Sequence, residues 1–147
     1  MALAHFYILQ NHDNTARLLF LSRLVEKLYH KALTLCLFID DPAELANIDQ
    51  ALWDADPVSF LPHGSYSTSR PLPISLVSSL PEKPIADVII HMSTVPPVIQ
   101  NYQYFIEVVL DNPSALTVAR AHYRALTQQG IAIRTHKITA PKLNQIE

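Results

Sequence analysis

The feature that most limits the fold is a set of short, almost continuous apolar runs set between amphipathic stretches. Thr34-Leu35-Cys36-Leu37-Phe38-Ile39 reads as a buried strand, and Asp87-Val88-Ile89-Ile90-His91-Met92 as a strand covered on both faces. Phe105-Ile106-Glu107-Val108-Val109-Leu110 reads as another central strand. Strands of that kind belong to a parallel sheet clad by helices, and the intervening segments supply the helices. Leu18, Leu21, Val25 and Leu28 recur at helical spacing, with Leu24 widening the stripe, after a start signal in Asp13 to Thr15. Asp41 as N-cap with Pro42 at the first helical position opens a second helix, whose buried stripe is Leu45, Ile48 and Leu52. Asn112-Pro113-Ser114 opens the last helix, which runs to about Gln129 and stops at Gly130.

Shorter signals complete the order. His5 to Leu9 is a first strand, Ile74 to Val77 a short one, and Ile131 to Ile138 an edge strand; Val98 to Tyr104 is expected to be a short helix. His63 to Pro73, rich in Ser, Thr and Pro, is expected to be exposed and mobile, and the tail after Pro141 to fray. Strands alternating with helices give one α/β domain over residues 1–147, an open, largely parallel sheet with helices on both faces. A chain of 147 residues is long enough to bury about 68–70% of its unfolded-state surface without disulfides or metals.

Such a sheet raises the question of a nucleotide. Phosphates usually sit on a glycine-rich turn after the first strand, but here that turn is Gln10 to Thr15, and the only glycines are Gly64 and Gly130. The expectation is therefore a Rossmann-like domain without a nucleotide site, and no cofactor. The seven histidines include no pair at helical spacing and none near a cysteine cluster, so no metal site is expected from local pattern. His63 and His91 meeting at strand ends, with Ser93 or Asp87, is the one arrangement that would suit a small hydrolase, yet no G-x-S-x-G elbow accompanies it. Cys36 lies inside an apolar run, which makes it core filler and suits a reducing, cytoplasmic location. The N-terminus has no basic region followed by a long apolar stretch, and no run approaches transmembrane length.

Charge is sparse and uneven. Charged residues make up 16% of the chain and hydrophobic ones 49%, fewer charges than a freely diffusing monomer normally carries, which points to a permanent partner. Residues 1–111 hold 6 Lys/Arg against 12 Asp/Glu, whereas residues 112–147 hold 5 against 1. The C-terminal quarter can attract something acidic, but a net charge of −2 and the lack of a basic, aromatic-interleaved surface speak against direct binding of nucleic acid.

The stretch Ala51-Leu52-Trp53-Asp54-Ala55-Asp56-Pro57-Val58-Ser59-Phe60-Leu61-Pro62-His63 carries the only tryptophan and two prolines that deny it regular structure. Its aromatics either tuck under the loop as a satellite of the core or form a partner-binding patch. This run resembles the signature of the chi subunit of bacterial DNA polymerase III. The resemblance continues through His5 to Leu9, Asp87 to Ile90, Phe105 to Val109 and the Ala119-Arg120, Tyr123-Arg124-Ala125, Gly130 stretch. It implies a non-catalytic accessory subunit of the clamp loader, joined 1:1 to the psi subunit and contacting the acidic C-terminal tail of single-stranded DNA-binding protein. Carried over residue by residue, it implies psi binding at Leu52, Trp53, Phe60, Pro62 and His63, and tail binding at Arg120, Tyr123 and Arg124. One departure is that a basic residue expected one turn before Arg120 is here Leu116, so that the site is expected either to be weaker or to recruit Arg134 or Lys137.

Overall fold

The computed structural model describes residues 2–54, 61–65, 72–80, 83–97 and 102–139. Among them the chain forms β1 (Leu3–Gln10), α1 (Asn14–His30), β2 (Leu35–Ile39), α2 (Pro42–Asp54), β3 (His63–Ser65), β4 (Ile74–Val77), β5 (Val88–Met92), β6 (Tyr104–Leu110), α3 (Pro113–Gln128) and β7 (Ala132–Thr139). The strands make one sheet in the order β3-β4-β2-β5-β6-β1-β7, and every neighbouring pair is parallel.

The topology explains which helix covers which face. Parallel crossovers are right-handed, so connections that step in opposite directions across the sheet leave their helices on opposite sides. The crossovers through α1 and α2 both step toward the β3 edge, while the one through α3 steps toward the β7 edge. Accordingly Leu21, Leu24 and Val25 of α1 and Ile48 and Leu52 of α2 share a core with Tyr7, Leu37, Ile90 and Val108. Ala119 and Leu126 of α3 pack on the other face against Phe6, Phe38, Ile89 and Phe105. The strand alternation is thereby set: along β5 and β6, Ile89, Phe105 and Val109 face α3, and so do the intervening odd-numbered His91 and Glu107.

The helix ends are built as the residue types require. Asp13 accepts from the Ala16 amide at 2.8 Å, Asp41 from Ala43 at 3.0 Å, and Asn112 from Ala115 at 3.0 Å with Pro113 at the first helical position. After α3 the backbone turns through Gly130 at φ +76°, and the Gly130 and Ile131 amides donate to the carbonyls of Thr127 and Leu126. After α1 the same left-handed turn falls on Ala32, at φ 61°, where a side chain costs about 1 kcal/mol or more.

Two expectations are corrected. His63 to Ser65 is not an irregular exposed loop but a three-residue edge strand paired with β4, in which His63 is buried and Ser65 exposed; residues 66–71 lie outside the described residues. Of the helix expected over Val98 to Tyr104, residues 98–101 lie outside the described residues and Tyr104 opens β6 instead, paired in register with Leu3 on one side and Val88 on the other. The tail beyond Pro141 also lies outside the described residues.

Candidate functional site

Arg120, Tyr123 and Arg124 stand on the solvent side of α3, at the rim of a cleft of about 560 Å³ between that helix and the β1–β7 edge of the sheet. Its apolar lining comes from Phe6 and Ile8 on β1 and from Leu116 and Ala119 on α3; Lys137 on β7 adds a third cation, and Asp111 is the acidic residue at its border. Tyr123 is 45% exposed and sets its ring edge on Phe6, centroids 6.0 Å apart at 64°. Both arginines are exposed, and neither makes an ion pair with another described residue. Strand alternation separates Arg134 from Lys137. Lys137 points to the α3 face, while Arg134 lines a groove on the opposite face with His5, Tyr7, Leu28 and Lys31. Leu116, in the place of a basic residue, is half-buried and belongs to the apolar floor.

At the other edge, Trp53 sits at the end of α2, 49% exposed, with its ring 4.7 Å from that of His63. His63 is held from below. Its Nδ1 donates to the Leu61 carbonyl at 2.7 Å and its Nε2 lies 3.2 Å from an Asp49 carboxylate oxygen. Leu52 is a core residue, Pro62 is half-buried, and Phe60 lies outside the described residues. Of the five positions named for this patch, then, Trp53 offers surface, while Leu52 and His63 fix it from within.

The arrangement considered for a hydrolase is not built. His63 on β3 and His91 on β5 are separated by β4 and β2. Ser93 gives its hydroxyl to Asp40 at 2.7 Å rather than to an imidazole, and Asp87 is bound to Thr34 at the opposite end of β5. Cys36 is fully buried, and burial pushes its thiol up to about 11, which disfavours the thiolate that a nucleophile needs.

What the sequence pattern did not show is a buried group under α3. His122, 1% exposed, bonds through Nδ1 to Glu107 Oε1 at 2.8 Å and through Nε2 to the Thr94 carbonyl at 3.3 Å, and the His91 ring stands perpendicular to it at 5.1 Å. Burial raises the Glu107 carboxyl above the usual range, opposed by the His122 bond. For His122, burial acts to lower the imidazole, but the bond and charge of Glu107 outweigh it and the net direction is upward. On α3 itself Ala119, His122 and Leu126 are the buried residues, while Tyr123 stands at the rim.

No helix among the described residues is long and apolar enough to cross a membrane. In comparisons with known proteins, the family model described as DNA polymerase III chi subunit, HolC, matches residues 1–134. The chain is also similar to the DNA polymerase III subunit chi of Pseudomonas aeruginosa, 26% identical over 139 residues that cover 94% of this chain and 98% of that protein.

Proposed function

The chain belongs to the family of DNA polymerase III chi subunits, non-catalytic accessory subunits of the replicative polymerase, and from that premise we propose that it bridges the psi subunit to the acidic C-terminal tail of single-stranded DNA-binding protein. The observation that carries the reading is the cleft beside α3. It combines Arg120, Arg124 and Lys137 with an apolar floor of Phe6, Ile8, Leu116 and Ala119. A peptide of several carboxylates ending in a hydrophobic side chain needs both parts, cations for its charges and an apolar recess for its end. The psi subunit is assigned to the opposite edge, at Trp53, Phe60 and Pro62, with Leu52 and His63 in support. A half-exposed tryptophan backed by a buried ring is the kind of rigid aromatic anchor found at interface centres.

The two assigned surfaces lie at opposite ends of the sheet order, α3 and β7 against α2 and β3, which leaves room for both partners at once. Through psi the chain reaches the clamp loader, and through the tail it reaches DNA, so recruitment to DNA is indirect. A bridging assay tests the reading. Immobilised tail peptide should retain psi only when this chain is present, and free tail peptide should release both. Retention of psi without the chain, or loss of tail binding once psi is bound, would contradict it.

A further inference from the structure

We propose that His91, Glu107 and His122 form a binding site for one divalent transition-metal ion, zinc foremost, at the seam where α3 crosses β5 and β6. The three residues come from three elements, and one donor atom of each lies within 4.8 Å of the others. Four ligands at about 2.1 Å around a tetrahedral ion stand about 3.4 Å apart, so the widest separation must close by little more than an ångström, within reach of side-chain rotation. Two imidazoles and one carboxylate suit zinc, cobalt or nickel, whereas magnesium and calcium prefer oxygen ligands throughout.

The second observation is what these side chains lack. His91 is 2% exposed, and neither of its ring nitrogens has a hydrogen-bond partner among the described residues; Glu107 Oε2 has none either. Buried polar groups are nearly always paired, and an unpartnered imidazole beside an unpartnered carboxylate oxygen within one cluster is better explained by a ligand than by packing. His91 does pack on Phe38 and Phe105, but ring contacts leave its nitrogens unsatisfied. His122 already has the outer partner that a metal-bound histidine requires. With Nε2–H directed at the Thr94 carbonyl, Nδ1 is the atom turned to Glu107. A metal ion would take the place of the proton that Nδ1 shares with Glu107 Oε1, and that proton would leave to solvent.

There is also an entry. His91 and Glu107 line a cleft of about 330 Å³ at the C-terminal ends of the strands, with Asp40, Ser93 and Thr94 beside them. That is the crevice in which open α/β sheets hold their ligands, and it leaves a fourth coordination position to water. The ion would tie α3 to the sheet from its buried side, independently of the partners assigned to its exposed side.

The test is zinc titration of chelator-treated protein by calorimetry, with thermal unfolding measured in parallel. The expected result is one site per chain and a rise of about 5 to 10 °C in the midpoint at a hundredfold excess over Kd. Cobalt should give the visible absorption of a four-coordinate ion. His91→Leu removes a ligand that makes no hydrogen bond, so it should fold, retain or raise the metal-free midpoint, and lose the site. Glu107→Gln, which can still bond His122, should weaken zinc at least tenfold. Absence of saturable binding by the wild type, or equal zinc affinity in His91→Leu, would overturn the proposal; the latter would assign the zinc to surface histidines. If either variant fails to fold, as judged by circular dichroism, the cobalt spectrum of the wild type decides alone, because octahedral cobalt would exclude the site.

Discussion

Replacing both Arg120 and Arg124 by Ala should cut affinity for an acidic tail peptide about 30- to 150-fold. Two unit charges 4 Å apart attract by about 1 kcal/mol in bulk water and about 4 kcal/mol at an effective dielectric of about 20. Both guanidinium groups are exposed, which favours the lower figure, but each stands over an apolar wall that would exclude water once the peptide is seated. About 1 to 2 kcal/mol for each arginine is therefore reasonable, or about 2 to 3 kcal/mol for the pair, since residues one turn apart share carboxylates and do not add fully. Fluorescence anisotropy at two salt concentrations separates this effect from loss of shape. Between about 0.05 and 0.3 M salt the Debye length shrinks from about 14 to about 6 Å, so the wild type should weaken markedly while the double variant loses most of its salt slope. Thermal stability should move by less than about 0.5 kcal/mol, as expected for exposed residues without ion pairs. Unchanged affinity together with an unchanged salt slope would refute the assignment and direct the search to another basic surface.

Trp53→Ala and Phe60→Ala should each cost at least about 2 kcal/mol of psi binding, read by calorimetry or co-purification, while Trp53→Ala lowers stability by only about 1 kcal/mol because half of its ring already faces solvent. A large loss of stability with psi binding intact would mean that these aromatics serve the core. Ala32→Gly should raise the thermal midpoint by about 2 to 4 °C, since Ala32 occupies the left-handed region at φ 61°; no gain would mean that the turn relaxes in solution. Cys36, with its thiol pushed up to about 11, should be about one part in a thousand ionised at pH 8 and react with disulfide reagents only through unfolding. Because the folded state holds the proton more tightly, that group's contribution to stability is intact below pH 9 and lost as pH rises through about 11, which alkaline denaturation of a Cys36→Ala variant would reveal as a shallower decline.

The parts of the fold legible in the sequence are those governed by local pattern. The apolar runs at 34–39, 87–92 and 105–110 hold the three central strands, and Asp13, Asp41-Pro42 and Asn112-Pro113 mark the helix starts because each side chain satisfies an amide a few residues away. β3 was not legible. Three residues in a Ser- and Thr-rich segment carry no alternation, and its pairing depends on β4, whose partner residues lie 11 positions further along. Gly64 was the available clue, since a Cβ there would come within 3.1 Å of the Leu72 side chain, which would have to shift to admit it. Strand order was equally hidden, for it is the direction of each crossover, and not any residue, that puts β2 and β4 on one side of β5 and β6, β1 and β7 on the other.

The two sides of α3 show why one candidate site could be read and the other could not. Arg120, Tyr123 and Arg124 fall at i, i+3 and i+4, so a single helical turn displays them together and the spacing alone places them on one face. Ala119, His122 and Leu126 form the opposing stripe, and the partners of His122 arrive from strands 15 and 31 residues earlier in the chain. No helical or strand period connects those positions. A signal did exist at the level of cost: Glu107 and His91 each interrupt an otherwise apolar run read as buried on both faces, and a buried ionisable group must find a counterpart. Two such interruptions on neighbouring strands, both at positions of the same parity as the α3-facing residues, require the covering helix to present a polar residue of its own. His122 is the buried polar residue that α3 supplies, so the requirement set by the two strands is met from the helix side.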